Sequence, residues 1–465
     1  MRFALHPPAM RLFSGLPPNF HQNTPSGRRF FFRLISLLFS GASCFSLARA
    51  DSEAPSLAAQ ESVLVAKITE EEVRPEQTSE ADQSLVENMA ATSEEAPVPR
   101  GFHYRVGLSL REAYDDNINI SHFERKEDFY TTIEPAIDLS YGDFDQNYLA
   151  LRYAPEIYLF ADHSENNAFQ HTISLIGQYR FPLLSLTLSQ DIQILDGTGL
   201  AVSTGTGTNF TRTNLDVAGR TRLNIYTSRL NANYSLTGKI FLTGSLSYSI
   251  SDYPSLISSS ILSANVYANY TYSPKLAIGL GVTGGYNFVE SPSQDQSFEQ
   301  INARASYELT GKVSATLSAG VEFRQVSGSD VTDNGSPVFE GNLFYQPFDG
   351  TNIALTFSRR TLNSATLASQ NFHSTSAILS GRQRFLHRIY FGLSVGYENS
   401  GYFSTVNGSA ADRDDDYYFL QVSLDFALTS FCRAGFYYLY RESESNLDTY
   451  SFYDNQFGLR TSLQY

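Results

Sequence analysis

From Phe102 onward the chain repeats one device: a run of about 10–14 residues in which apolar and polar side chains alternate, followed by a polar connection. In the second run Phe129, Thr131, Ile133, Pro135, Ile137, Leu139 and Tyr141 share one face, and Tyr130, Thr132, Glu134, Ala136, Asp138 and Ser140 share the other. Leu276, Ile278, Leu280, Val282, Tyr286 and Phe288 repeat the pattern in the ninth run, and Tyr418, Leu420, Val422, Leu424, Phe426 and Leu428 in the sixteenth. A period of two predicts β-strands with one apolar and one polar face.

The connections alternate in length. Short ones lie near Gly142–Gln146, Pro182-Leu183, Thr237–Lys239, Ser273–Lys275, Thr310–Lys312, Phe348–Gly350, Leu386–Arg388 and Thr429–Phe431. Longer polar ones lie between them, such as Asp115–Glu127, Asp196–Phe210, Val326–Pro337 and Asn399–Asp415. Short turns on one side and long loops on the other are the asymmetry of a transmembrane β-barrel. The eight short turns, with a first and a last strand added, predict an all-β, antiparallel transmembrane β-barrel of about 18 strands, with 16–20 open. Between Thr211 and Leu236 the apolar parity switches, from Leu215, Val217, Leu223 and Ile225 to Leu230, Ala232, Tyr234 and Leu236. One long strand with a bulge is the expectation here; a further hairpin turn near Thr227 is the alternative. In the last strand Phe457, Leu459, Leu463 and Tyr465 alternate toward lipid, in the pattern expected of a C-terminal signal for the outer-membrane insertion machinery.

Composition supports this reading. Aromatic residues make up 14% of the chain, with 29 Tyr, 34 Phe and no Trp, an excess that interfacial girdles would use. Residues 1–50 read as a signal peptide: Arg28, Arg29 and Arg33, an apolar stretch from Leu34 to Leu47, then Ala48-Arg49-Ala50 as the cleavage site. Residues 51–100 are rich in Glu, Ala, Ser and Pro and poor in aromatics, so they are expected to form a periplasmic leader without a core of its own. A docking arm for a periplasmic partner is the functional alternative. The barrel proper is expected over 101–465, in the outer membrane of a Gram-negative-type bacterium, with membrane lipid around it. The net charge of −15 argues against nucleic acid as a partner. Cys432 alone follows the cleavage site, which excludes an intramolecular disulfide.

With the apolar face toward lipid, the other face lines the lumen, and its charge is uneven. Arg105, Arg111, Arg152, Arg180, Arg212, Arg220, Arg222, Arg304, Arg324, Arg382, Arg384, Arg433, Arg441 and Arg460 fall on that face. The acids there are fewer: Glu134, Asp138, Glu156, Asp216, Glu308, Glu322, Glu340 and Asp425. The arginines either brace the wall by gripping carboxylates or bias the conduit toward anions. The loop Asp196–Phe210, rich in Gly, Ser and Thr, is expected to be a mobile surface loop, with an inward fold as the alternative. Asp412-Arg413-Asp414-Asp415-Asp416, and Asp330 with Asp333, read as solvated acidic tips. The histidines His103, His122, His163, His171, His373 and His387 sit in no nucleophile-elbow frame, so neither an enzyme nor a cofactor or metal is expected.

Tyr114-Asp115-Asp116-Asn117-Ile118, followed by Asp128 and Ile133-Glu134-Pro135 on the next strand, resembles the opening of the β-barrel porin-2 family of bacterial outer-membrane proteins. The resemblance implies an outer-membrane barrel over about residues 101–465 and carries over no ligand or catalytic residues. The leading expectation is a porin-like channel for passive diffusion of small solutes, anion-leaning. The alternatives are an exopolysaccharide-export or surface-assembly barrel, and a non-conducting structural or adhesive barrel.

Overall fold

A computed structural model describes residues 101–144, 146–203, 209–328, 335–406 and 413–464. The signal peptide, the leader, Asp330, Asp333, Asp412 and Tyr465 lie outside the described residues. The strands are β1 (Gly101–Asp115), β2 (Asp128–Gly142), β3 (Tyr148–Phe160), β4 (Ala168–Arg180), β5 (Leu184–Gly197), β6 (Gly199–Ser203), β7 (Asn209–Thr213), β8 (Thr221–Ser235), β9 (Ile240–Asp252) and β10 (Ser259–Ser273). They continue as β11 (Leu276–Val289), β12 (Gln296–Thr310), β13 (Val313–Val326), β14 (Ser336–Tyr345), β15 (Thr351–Asn363), β16 (Gln370–Phe385), β17 (Ile389–Ser404), β18 (Asp414–Ala427), β19 (Cys432–Ser445) and β20 (Phe452–Gln464). Eighteen of them form one antiparallel ring, which β1 and β20 close, while β6 and β7 make a separate hairpin inside the loop between β5 and β8. The eight short connections fall where the alternation breaks.

Alternation decides which side chains meet lipid. Phe102, Tyr141, Tyr179, Tyr272, Phe385 and Phe431 stand exposed on the outer wall toward the short-turn end, and Phe129, Phe169, Phe288 and Tyr453 toward the long-loop end. These are two interfacial girdles, and the barrel is an outer-membrane barrel with transmembrane strands. Phe457, Leu459 and Leu463 of β20 are exposed on the same wall.

The parity switch has a different cause from the expected bulge. β8 pairs with β5 and β9 in unbroken register from Thr221 to Ser235. Leu223, Thr227 and Arg229 are buried on its lumen face, and Leu230 and Tyr234 are exposed outside. Leu215 and Val217 precede the strand altogether. They are apolar because the loop carrying them packs inside the mouth, not because they face lipid. The same register corrects Arg222, which shares the outward parity of Leu230 and stands opposite Asp196 at the rim, outside the lumen.

Two prolines interrupt the wall. Along β2 and β3 the ladder pairs Ile133 with Ile157 and Ile137 with Tyr153, and it is broken between them, where Pro135 faces Pro155. Neither proline has an N–H to give the other strand. Arg111 spans this gap from the lumen, 3.0 Å from Glu134 on β2 and 4.0 Å from Glu156 on β3, with the Tyr158 hydroxyl at 3.3 Å. Arg111→Ala removes the staple and leaves two neighbouring carboxylates. We expect it to lower barrel stability by about 1–3 kcal/mol and to accelerate amide exchange at Ile133 and Ile157 specifically. Urea-induced unfolding with exchange mass spectrometry checks both.

The Tyr-Asp-Asp-Asn segment closes the seam of the ring. Asp116 accepts from the Asn455 backbone N–H and side-chain amide, each at 2.8 Å, and pairs with Arg125 at 3.1 Å. Asp115 accepts from the Gln456 amide at 2.8 Å, and the Asn117 amide donates to the Tyr453 carbonyl at 2.9 Å. Arg125 also lies 3.6 Å above the Tyr453 ring. Asp115, Asp116 and Asp454 bring carboxylate oxygens within 4.8 Å of one another. Arg441 holds Asp454 at 2.5 Å.

Candidate functional site: a capped, arginine-lined lumen

The segment that leads from β7 into β8 does not stay at the surface. This segment, Thr213–Arg220, crosses the mouth. β8 is sixth around the ring, whereas the partners of this segment lie on β15 to β19, about half a circumference away. A segment bonded across that distance must pass over the lumen. Thr213 meets the Tyr417 hydroxyl at 3.0 Å and accepts from Arg441 at 3.1 Å. Leu215 packs into a buried cluster with Ile120, Tyr417, Phe419 and Phe452.

Asp216 is the hub of the crossing. Its carboxylate accepts from Ser364 Oγ at 2.7 Å, the Ala365 N–H at 2.6 Å and the Tyr402 hydroxyl at 3.0 Å. Arg413 donates to the carbonyls of Leu215 and Asp216 at 2.8 and 3.1 Å and pairs with Asp415 at 2.7 Å. Its guanidinium lies over the rings of Tyr402 and Tyr450, at 4.3 and 3.3 Å. Other loops lock onto the same hub. The Ile257 N–H donates to the Ala365 carbonyl, and the Ser369 N–H to Ser293 Oγ, both at 2.9 Å. Asn214 donates to the Tyr253 hydroxyl at 3.0 Å, and burial pushes the pKa of that hydroxyl up to about 12. Arg220 anchors the far end of the strap, donating to the Asn166 carbonyl at 3.0 Å. Thus Arg413 and Asp415 are not solvated tip charges, as their sequence suggested, but buried members of a cap. A polar loop composition does not betray this; the apolar Leu215 and Val217 flanking an acid, and one arginine among four aspartates, are the available signals.

Below the cap, most of the wall arginines are spoken for. Arg105 and Arg152 share Asp138, at 3.0 and 3.1 Å. Arg324 pairs with the fully buried Glu322 at 2.9 Å and donates to Gln296. Arg304 bonds the neutral Asn269 and Thr243 at 2.8 and 2.6 Å and lies 4.1 Å over Tyr267. Arg460 reaches Asp425 at 3.0 Å. Arg180 lies on the lumen face near the short-turn end, and Glu308 on the lumen face of β12.

Arg382, Arg384 and Arg433 differ. They face the lumen near the short-turn end, and among the described residues none pairs with a carboxylate. Arg382 and Arg433 both lie over the Tyr390 ring, at 4.5 and 5.9 Å. The ladder aligns Arg384 with Tyr390, Tyr390 with Asp425, Asp425 with Gly435, and Gly435 with Arg460. Gly435 lets the one acid through: a Cβ there would sit 2.2 Å from Asp425 Oδ1. The Asp425 side chain therefore lies across β19 to Arg460, and among the described residues no carboxylate pairs with the other guanidiniums.

Residues 295–465 match the family model described as Putative beta-barrel porin 2. The match covers the last nine strands of the ring rather than the opening motif, so the family likeness rests on the C-terminal half of the barrel. No curated protein matches the sequence. Among solved structures, the chain is similar to OccAB3 of Acinetobacter baumannii, at 9% identity over 78% of this chain and 99% of that one, with a TM-score of 0.41. It is also similar to the outer membrane protein opdK of Pseudomonas aeruginosa, at 10% identity over 78% and 98% of the two chains, with a TM-score of 0.40.

Proposed function

We propose that this barrel is a capped outer-membrane channel through which small solutes diffuse passively, with anions favoured. The observation that carries the reading is the set Arg382, Arg384 and Arg433, which face the lumen without a carboxylate partner among the described residues. Paired arginines brace a wall and contribute little net field. Unpaired ones raise the local concentration of anions along the path. The strap through Asp216 sets access from the long-loop side, and the arginines set the charge preference on the other.

The arrangement of β20 supports its reading as the segment addressed by the insertion machinery, since Phe457, Leu459 and Leu463 present one apolar stripe outward. Reversal potentials of the purified protein in a planar bilayer under a salt gradient test the channel. We expect anions to permeate about twofold or more over cations. Cation preference would sink the charge assignment, and absence of any conductance would sink the channel.

A further inference from the structure

We propose that Arg382, Arg433 and Arg460, gathered around Tyr390 at the short-turn end of the lumen, form a binding site for a compact, multiply charged oxyanion of the phosphate type. The proposal rests on the channel reading only in that the ligand reaches the site through the lumen.

The geometry supplies what such an anion needs. Arg382 on β16 and Arg433 on β19 both lie over the ring of Tyr390 on β17, at 4.5 and 5.9 Å. A ring quadrupole attracts the flat face of a guanidinium and leaves its N–H edge free to donate. Arg460 enters from β20 with its fork partly engaged by Asp425 at 3.0 Å. With Arg384 beside Tyr390 in the ladder, four guanidiniums confront one carboxylate. Arg382 lies within electrostatic reach of Arg433 and Arg460, with Asp425 as the one acid offsetting them. Like charges held together on a rigid wall lose that repulsion when an anion with two or more charges enters between them. A monovalent anion offsets less of it, and a neutral solute none. The guanidinium fork also matches the spacing of two oxygens on one phosphorus, which a halide lacks.

The wall favours this cluster over the braced arginines as a ligand site. At Arg105 and Arg152 the shared Asp138 already occupies the position an anion would take, at 3.0 and 3.1 Å. At Arg324 it is Glu322, at 2.9 Å. Around Tyr390 several inward guanidiniums outnumber the one acid paired there.

The test titrates inorganic phosphate into the purified full-length barrel in nanodiscs, read by phosphorus NMR line broadening and by calorimetry, neither of which needs conduction. We expect saturable binding that chloride competes with weakly. Arg433→Gln and Arg382→Gln should each weaken it by about tenfold or more, the loss of one charge-assisted contact. Arg105→Gln, whose guanidinium is already paired, should change it by less than about threefold. Glycerol 3-phosphate, as a lipid headgroup fragment, separates the two sources of the chemistry: equal binding of both probes supports a phosphate site open to esters, and binding of phosphate alone supports a site for the free ion. Absence of saturable binding overturns the proposal, and so does an Arg105→Gln loss as large as that of Arg433→Gln, which would show a diffuse field instead of a site. Phosphate binding by a barrel that does not conduct keeps the site and removes the channel; an anion-selective barrel that does not bind phosphate does the reverse.

Discussion

Asp216→Ala is expected to turn a capped barrel into an open one. The carboxylate accepts from Ser364, Ala365 and Tyr402 at 2.6 to 3.0 Å, and all of these partners belong to the opposite side of the mouth. Its removal takes away these bonds and the 3.8 Å pairing with Arg413, and leaves the strap held to the far wall by its backbone carbonyls on Arg413 and by Thr213. Breaking a buried charged pair on one side costs about 3–5 kcal/mol. Loss of that much from the closed arrangement shifts a closed-to-open ratio by roughly 10²–10⁴. Single-channel recordings should show a higher conductance and longer open times, while the ring stays folded, because no ladder hydrogen bond is touched. Unchanged conductance in a folded Asp216→Ala barrel would mean that the strap does not limit passage.

The second large effect is on stability. Arg441 is buried on β19, 2.5 Å from Asp454, and also donates to Thr213 of the strap at 3.1 Å. Asp454, Asp115 and Asp116 lie together at the seam, where β1 meets β20. With Arg441→Leu, Arg125 on Asp116 is the one cation left to the three acids among the described residues. We expect a loss of about 3–5 kcal/mol, seen as a lower midpoint in urea and as earlier loss of the compact band on heating in detergent. The double variant Arg441→Leu with Asp454→Asn should recover most of that loss, since it removes the stranded charge as well. If the double variant is no more stable than the single one, the effect is packing around Thr213 and not the buried charge.

The sequence was legible wherever one rule acted alone. Each strand from β9 to β20 reports its own two faces, so the eight turns and the ring of eighteen could be counted from alternation. Legibility failed where lipid and cap make the same demand. Leu215, Val217 and Leu223 look like a lipid face, because an apolar side chain records only that it avoids water and not which apolar surface it meets. Arg222 was misplaced by the same error, since its face was inferred from those neighbours. The charges show the complementary limit. Parity places Arg382 and Arg105 alike in the lumen, but which of them has a carboxylate depends on the register between neighbouring strands. Asp138 lies opposite both Arg105 and Arg152, whereas Arg382 lies opposite Gly392. Those pairings are set by the ladder, which no local pattern records.

The strap also has a mechanical meaning. A ring of eighteen strands can flatten with little change in any one hydrogen bond, because each pair of neighbours need only pivot slightly. Thr213 and Asp216 join β8 to the arc from β17 to β19, so the strap lies close to a diameter and works as a tie rod. It holds the long-loop end near one cross-section, while the short-turn end, without such a tie among the described residues, is left to breathe. Releasing the strap should therefore increase the fluctuation of the current as well as its mean, a rise in noise that widening alone would not produce.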